Sequence, residues 1–444
     1  MKSRFAVAVV LPMALTACEE GEARPQWLVW VGTDAPLPGF GDRIRIDVLD
    51  PDGSLCPSCS RTFEARAGAV EPLSFGVQPG TTDGRYLRAR LYRAENTNAD
   101  GDPEDPLIDV LAELPPLGET PISVSVVLGM GCFGRPASLA SVTSCNPTTG
   151  RDEAWRYPEG DASSLPAQGS WGGGDRPCKK PTPPGMVCVP GGVFLMGSRS
   201  FVPFGPDFDP VPEQLVSVPA YFLDAAELDV GTARQRVEAG AKAPDTAASG
   251  DARCSYGEAA DNDPLSVNCV DRETAALLCE VVGRRLPTEA EWEFAAIDRS
   301  TDASYPWVPS DEMTTKEICH VAIVARADVG DNEGSRQCIL DIGAEAGPTA
   351  GSEADTSPLG IRDLGGNMSE WVSDDFARYS DPACWGTDVA LRDDPLCIAD
   401  ETLGVVRGGS WNGFAYNSHG FFRRSAPSDS GWSFVGVRCA QDAE

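Results

Sequence analysis

Apolar and polar residues alternate one by one in four early segments of the chain: Trp27-Leu-Val-Trp-Val31, Arg43-Ile-Arg-Ile-Asp-Val48, Tyr86-Leu-Arg-Ala-Arg-Leu-Tyr92 and Ile122-Ser-Val-Ser-Val-Val127. Such alternation predicts strands with one buried face. Turn pairs such as Asp52-Gly53 and Asp83-Gly84 punctuate them, so residues 24–145 are expected to form an all-β antiparallel sandwich of the immunoglobulin or transthyretin type. Residues 146–185 lack periodicity and are rich in Pro, Gly and Ser, as in Trp171-Gly-Gly-Gly174 and Pro181-Thr-Pro-Pro184, which reads as a linker. A second domain, residues 186–441, is expected to open with a strand pair around a Pro-Gly-Gly turn between Met186 and Gly197. Further on the period changes to that of a helix: Ala275, Leu278, Cys279 and Val282 share a face, with Asp271 placed to cap the start and Gly283 the end. A second helix opens at Thr288, where Glu291 completes a capping box.

Composition narrows the possibilities. The 444 residues include 67 acidic and 36 basic side chains, and a net charge of −31 repels phosphate backbones, so nucleic acid is not an expected partner. The first residues resemble an export signal: Lys2 and Arg4, an apolar run from Phe5 to Leu15 too short to cross a bilayer, then Leu15-Thr16-Ala17-Cys18 as a lipobox. Residues 1–18 are therefore expected to direct the chain to the bacterial cell envelope, with Cys18 lipidated as a membrane anchor on the periplasmic or outer surface. Fourteen of the 15 cysteines remain, and an oxidising compartment favours disulfides. Nearness in sequence suggests Cys132–Cys145, Cys178–Cys188, Cys254–Cys269, Cys319–Cys338 and Cys384–Cys397. Cys56 and Cys59 follow a Pro-Asp-Gly turn, which suits a structural bridge better than a redox site. The stretch from Asn98 to Asp105 has calcium-loop residues without the full ligand pattern and reads as an acidic hairpin loop.

Leu286-Pro-Thr-Glu-Ala-Glu-Trp-Glu-Phe-Ala-Ala296 is a specific pattern, and three further blocks accompany it in order. These are Met186 to Gly197, Leu359-Gly-Ile-Arg-Asp-Leu-Gly-Gly-Asn-Met-Ser-Glu-Trp-Val-Ser-Asp374, and Val406-Arg-Gly-Gly-Ser-Trp411 with Val435-Gly-Val-Arg-Cys439. Together they resemble the formylglycine-generating enzyme, or sulfatase-modifying factor, family. The resemblance implies an α+β, C-type-lectin-like fold with little regular secondary structure. It also implies a disulfide between Cys279 and Cys439, and a structural calcium at Asp363, Gly366, Met368 and Glu370, whose carboxylates and carbonyls are suitable hard ligands.

Catalysis in that family uses copper held by two cysteines just after the Gly-Gly-Ser block, with oxygen converting a substrate cysteine to formylglycine. The matching positions here are Gly413 and Ser418, and no cysteine lies between Cys397 and Cys439. Copper(I) selects thiolates, so copper is not an expected cofactor. An iron site of the kind found in related sulfoxide synthases would have to use His320 and His419, the only two histidines. Ser410, Trp411, Asn412, Tyr416, His419 and Arg423 instead suggest a ligand surface. The expected protein is an anchored surface lipoprotein whose family-like domain binds a protein, peptide or glycan, or organises the envelope, without catalysis. The alternative is a metal-dependent oxidoreductase with altered ligands.

Overall fold

The computed structural model describes residues 24–444 except 51, 57–58, 66–71, 80–84, 95, 105, 172–175, 199–207, 258, 298–303, 308–312, 327–337, 339–346, 386–390 and 400–401. The export signal and Cys18 lie outside the described residues. Seven strands build the first domain. They are β1 (Trp27–Thr33), β2 (Arg43–Leu49), β3 (Arg61–Glu64), β4 (Leu73–Val77), β5 (Tyr86–Tyr92), β6 (Ile108–Glu113) and β7 (Ile122–Leu128). One sheet has the order β4-β1-β7 and the other β3-β2-β5-β6. Val29, Val31, Val124 and Val126 of the first sheet share a core with Ile46, Leu87, Ala89 and Val110 of the second. The alternating positions thus point inward as the pattern predicts. One pairing departs from the antiparallel expectation: β1 and β7 run parallel, Trp27 opposite Ile122 through Thr33 opposite Leu128. Alternation reports a buried face and carries no information about strand direction.

Residues 146–185 are not a free linker. β8 (Ser144–Asn146) and β9 (Arg151–Glu153) form a hairpin, and the chain then lies along the first domain. Trp155 and Tyr157 join its core, Tyr157 is 1% exposed, and its hydroxyl donates to the carbonyl of Leu87 at 3.0 Å. Two aromatic side chains outweigh a composition that otherwise looks like a spacer.

The second domain has mixed sheets and few helices. Its strands are β10 (Met186–Val189), β11 (Gly192–Met196), β12 (Gln214–Val218), β13 (Tyr221–Asp224), β14 (Ser369–Asp375), β15 (Arg392–Asp393), β16 (Leu403–Arg407), β17 (Arg423–Pro427), β18 (Val435–Gly436) and β19 (Ala440–Asp442). They form sheets ordered β10-β13-β19, β11-β12-β15 and β17-β16-β14-β18. The expected pairing of β10 with β11 does not occur, because at Gly191 the chain passes so close to the Pro219 backbone that a Cβ would lie 2.5 Å from it, and the two strands enter different sheets. The helices are α1 (Val230–Glu238), α2 (Thr246–Ser249), α3 (Arg272–Glu280), α4 (Glu289–Ala296), α5 (Thr315–Val321) and α6 (Pro382–Trp385). Asp271 caps α3 through the Thr274 N–H, and α3 buries Ala275, Leu278 and Cys279. Val282, expected on the same face, lies beyond the helix end and is 47% exposed.

All seven disulfides follow the sequence expectations, including Cys56–Cys59 and Cys279–Cys439, which joins α3 to the segment before β19. The Asn98 loop closes on itself, its side-chain oxygen accepting from the N–H groups of Asp100 and Asp102. The two domains touch: Leu195 and Leu215 of the β11-β12 pair belong to the first domain's core, and Arg93 donates to Glu213 at 2.7 Å.

Because Tyr157 fills the first domain's core from the supposed linker, Tyr157→Ala should cost about 3–5 kcal/mol. Chemical denaturation would measure the loss, and a loss below about 1 kcal/mol would mean the segment rests on the domain without supporting it.

Candidate functional site

Every residue of α4 is buried, including Glu289, Glu291 and Glu293. Thr288 and Glu291 form the expected capping box, and Glu291 also accepts two hydrogen bonds from Arg285. Glu289 and Glu293 are met by arginines from the end of the chain. Arg423 donates to both oxygens of Glu289 at 2.7 and 2.8 Å, and Arg407 reaches Glu293 at 2.5 Å and Glu289 at 3.4 Å. A third pair sits alongside: Arg438 grips Glu370, and the Trp292 indole donates to the same carboxylate at 2.6 Å. Sequence reading gave no role to Glu289, Glu293, Arg407 and Arg438, and it placed Glu370 at a calcium and Arg423 on a ligand surface. Glutamates at alternate positions of a helix cannot all face one solvent side, and that spacing in Glu289-Ala-Glu-Trp-Glu293 was the available signal.

The expected calcium residues lie beside this network. Asp363 accepts the N–H groups of Gly351 and Ser352, Asp355 accepts that of Gly365, and Glu227 accepts that of Met368 together with Asn367 Nδ2. Burial pushes Asp363 up to about 6, and burial plus the Asp363 carboxylate pushes Glu227 and Asp355 well above the usual range. The arrangement does not fit a calcium held by Asp363, Gly366, Met368 and Glu370. Both oxygens of Glu370 already accept from Arg438 and Trp292, so this carboxylate is matched within the fold. Among the described residues, no group of three or more His, Cys, Asp and Glu side chains is arranged to hold a metal ion.

From Gly408 the chain is pressed against the Leu364-Gly365-Gly366 turn. A Cβ on Gly409 would lie 2.3 Å from the Gly365 carbonyl, and Gly408 has φ +79°. The loop carrying the family's cysteine positions is therefore seated from below by main-chain contact. At Gly413 a Cβ would approach Asn417 Nδ2 to 2.8 Å and Ser410 Oγ to 3.2 Å. Ser418 is fully buried, and its hydroxyl has no hydrogen-bond partner; nor do Asn412 Oδ1 and Asn417 Oδ1. Amide and hydroxyl groups thus stand where a thiolate pair would be required, and this donor set does not fit copper(I).

Half of the expected ligand surface is core. Trp411 is 0% exposed and donates to the Ser433 carbonyl, while Arg423 is spent on Glu289. Ser410 is buried beside Gly413. Asn412, Tyr416 and His419 remain half-exposed. Phe414 and Tyr416 stack with centroids 5.2 Å apart, and His419 stacks between Tyr305 and Phe421 at 4.5 and 4.8 Å. Burial lowers the His419 pKa, opposed by its bond to the Tyr416 carbonyl, so the ring is neutral near pH 7. His320 is exposed at the end of α5 and has none of this packing.

The buried acids set the pH dependence. Burial raises Glu293 to about 7 against the Arg407 charge, and burial plus repulsion from Glu289 raises Asp374 to about 7. Both groups hold a proton more tightly in the folded chain than in the unfolded one. Their stabilisation is full below the ordinary carboxylate range and is lost as pH rises through about 7. The thermal midpoint should be higher at about pH 5 than at about pH 8, and Asp374→Asn should flatten the change. A midpoint rising steadily across that interval would contradict this assignment.

A family model described as a sulfatase-modifying factor enzyme 1-like domain matches residues 175–443. A formylglycine-generating enzyme of Thermomonospora curvata is 28% identical over 171 residues, covering 36% of this chain and 50% of the relative, so the match spans about half of that enzyme's length. Among solved structures, PvdO from Pseudomonas aeruginosa aligns with a TM-score of 0.42 at 22% identity, over 58% of this chain and 94% of that one. Treponema denticola variable protein 1 gives 0.41 at 19% identity, over 58% and 94%. The family model spans more than half of the chain, across α4, the Gly-Asn turn and the Gly-Gly-Ser loop: the chain belongs to the family defined by the sulfatase-modifying factor enzyme 1-like domain.

Proposed function

We propose that this protein is a lipid-anchored component of the bacterial cell envelope whose C-terminal domain binds a ligand without performing the oxidase chemistry of formylglycine-generating enzymes. One observation carries the reading: Gly413, crowded by Asn417, and the buried hydroxyl of Ser418 occupy the two positions at which a thiolate pair would hold copper. Neither histidine replaces that pair, since His419 is enclosed in an aromatic stack and His320 faces solvent. A C-type-lectin-like arrangement of the second domain suits its short strands and scarce helices. An immunoglobulin- or transthyretin-like sandwich for the first domain suits its two sheets around one core. Cys18 as the anchor follows from the lipobox pattern. The ligand class is a protein, peptide or glycan.

Protein purified from an oxidising compartment after exposure to copper, iron and calcium should contain no stoichiometric copper or iron and should consume no oxygen with a cysteine-containing peptide. Stoichiometric copper with peptide oxidation would establish the alternative, an oxidoreductase with altered ligands. Calcium should leave the thermal midpoint unchanged, because Arg438 already neutralises Glu370; a calcium-dependent rise would restore the metal site.

A further inference from the structure

Beside α3 the second domain has an open groove of about 610 Å³, and none of residues 408–419 lines it. Glu273, Ala276 and Glu280 stand at helical positions i, i+3 and i+7, so one face of α3 forms a wall. Leu286, 3% exposed, and half-buried Ala276 give the groove an apolar base. Three cations line it, and each already has its acids. Lys242 pairs with Asp271 at 3.1 Å and Glu273 at 2.9 Å, Arg272 with Asp375 at 2.6 Å, and Arg285 with Glu291 and Asp442 at 2.7 Å. Two further lining acids, Glu280 and Asp429, are exposed and have no cationic partner among the described residues.

These two carboxylates lie at opposite ends of the helix. Glu280 is the last residue of α3, whereas Asp429 follows Ser428, whose carbonyl accepts the N–H of Arg272 at the first turn. The span from Arg272 to Glu280 is about 12 Å at 1.5 Å per residue. Half-exposed Ser373 gives its proton to the Leu286 carbonyl at 3.1 Å and so presents an acceptor. The accessible groups still unmatched are thus acceptors, two of them charged. Among the described residues no three acids converge as a metal ion would require. Lysine and arginine side chains answer the groove instead, because each carries a methylene stem that packs on apolar surface and a cationic head that only donates. Two such heads about 12 Å apart correspond to positions i and i+4 of an extended chain at about 3.3 Å per residue.

We propose that this groove docks an extended basic segment of another polypeptide. One lysine or arginine meets Glu280 and a second meets Asp429, with the stems over Ala276 and Leu286. The site is separate from the Gly413 loop and does not depend on what that loop binds.

Calorimetric titration of the full-length protein with an acetylated, amidated Lys-Ala-Ala-Ala-Lys peptide and its Gln-Ala-Ala-Ala-Gln analogue tests this. The lysine peptide should bind on the order of tenfold more tightly than the glutamine one, and salt should erode the difference. The double variant Glu280→Gln, Asp429→Asn should bring the lysine peptide down to the level of its analogue. Glu119→Gln with Glu159→Gln removes the same charge from exposed positions of the first domain and should leave binding unchanged. Equal losses from the two double variants would place the attraction in the chain's overall charge of −31 and overturn the groove. Equal affinity for the two peptides in the unaltered protein, or no binding of either, overturns the proposal without reference to any variant's folding. Spermidine binding as tightly as the lysine peptide overturns the polypeptide class. None of these substitutions lies in the Gly413 loop, so the metal and oxygen measurements decide the non-catalytic reading separately.

Discussion

Three buried arginines, each ion-paired with a buried carboxylate, tie the last strands of the second domain to its earlier elements. Arg407 ends β16, Arg423 begins β17 and Arg438 follows β18, so each of the last strands in one region of the sheet delivers a guanidinium to an acid far away in sequence. Their partners Glu289 and Glu293 sit on α4 and Glu370 on β14, all essentially without exposure. Removing one member of such a pair strands a charge in a medium that cannot solvate it, at a cost of about 3–5 kcal/mol. Short strands and brief helices offer little cooperative backbone structure on their own. The hypothesis that these pairs select one register among many follows from that contrast, since an apolar contact tolerates sliding and a bidentate guanidinium does not.

The same network explains why the candidate loop is rigid on one side and accessible on the other. Arg407 immediately precedes Gly408 and Gly409, which lie against the Leu364–Gly366 main chain at distances that no larger side chain would allow. Arg423 closes the loop at its far end by reaching back to Glu289. Between these fixed points, Asn412, Phe414, Tyr416 and His419 are half-exposed, Phe414 stacking on Tyr416 and His419 on Phe421. Position is thus enforced from the core, while chemistry is left to a short stretch of side chains.

Much of the frame was legible because local rules are strong. The caps of α3 and α4 could be read from Asp271 and from Thr288 with Glu291, and cysteines close in sequence paired as neighbours do. Buried charge was not legible, because a glutamate or arginine letter is ordinarily a surface residue and only its distant partner reveals otherwise. Arg423 was therefore expected on a ligand surface and turned out to be spent inside. Trp411 failed the same way, its indole satisfied by Ser433 across the fold. The packing of Trp155 and Tyr157 was hidden by the Pro- and Gly-rich sequence around them, and the parallel pairing of β1 with β7 by the silence of alternation on strand direction.

Neither Gly413 nor Ser418 is a member of any of these arginine pairs. The frame is accordingly indifferent to whether those positions carry thiols, and the family's architecture does not by itself require the family's oxidation chemistry. What the positions do affect is the loop's polar inventory. With Gly413 in place, the Asn417 amide occupies the space a side chain would take, and the Ser418 hydroxyl is left enclosed and unmatched. Buried polar atoms without partners destabilise a folded chain by about 1–3 kcal/mol each. Three of them in one short loop, on Asn412, Asn417 and Ser418, oppose its folding, and the arginine pairs that bound the loop at Arg407 and Arg423 hold it in place against that cost.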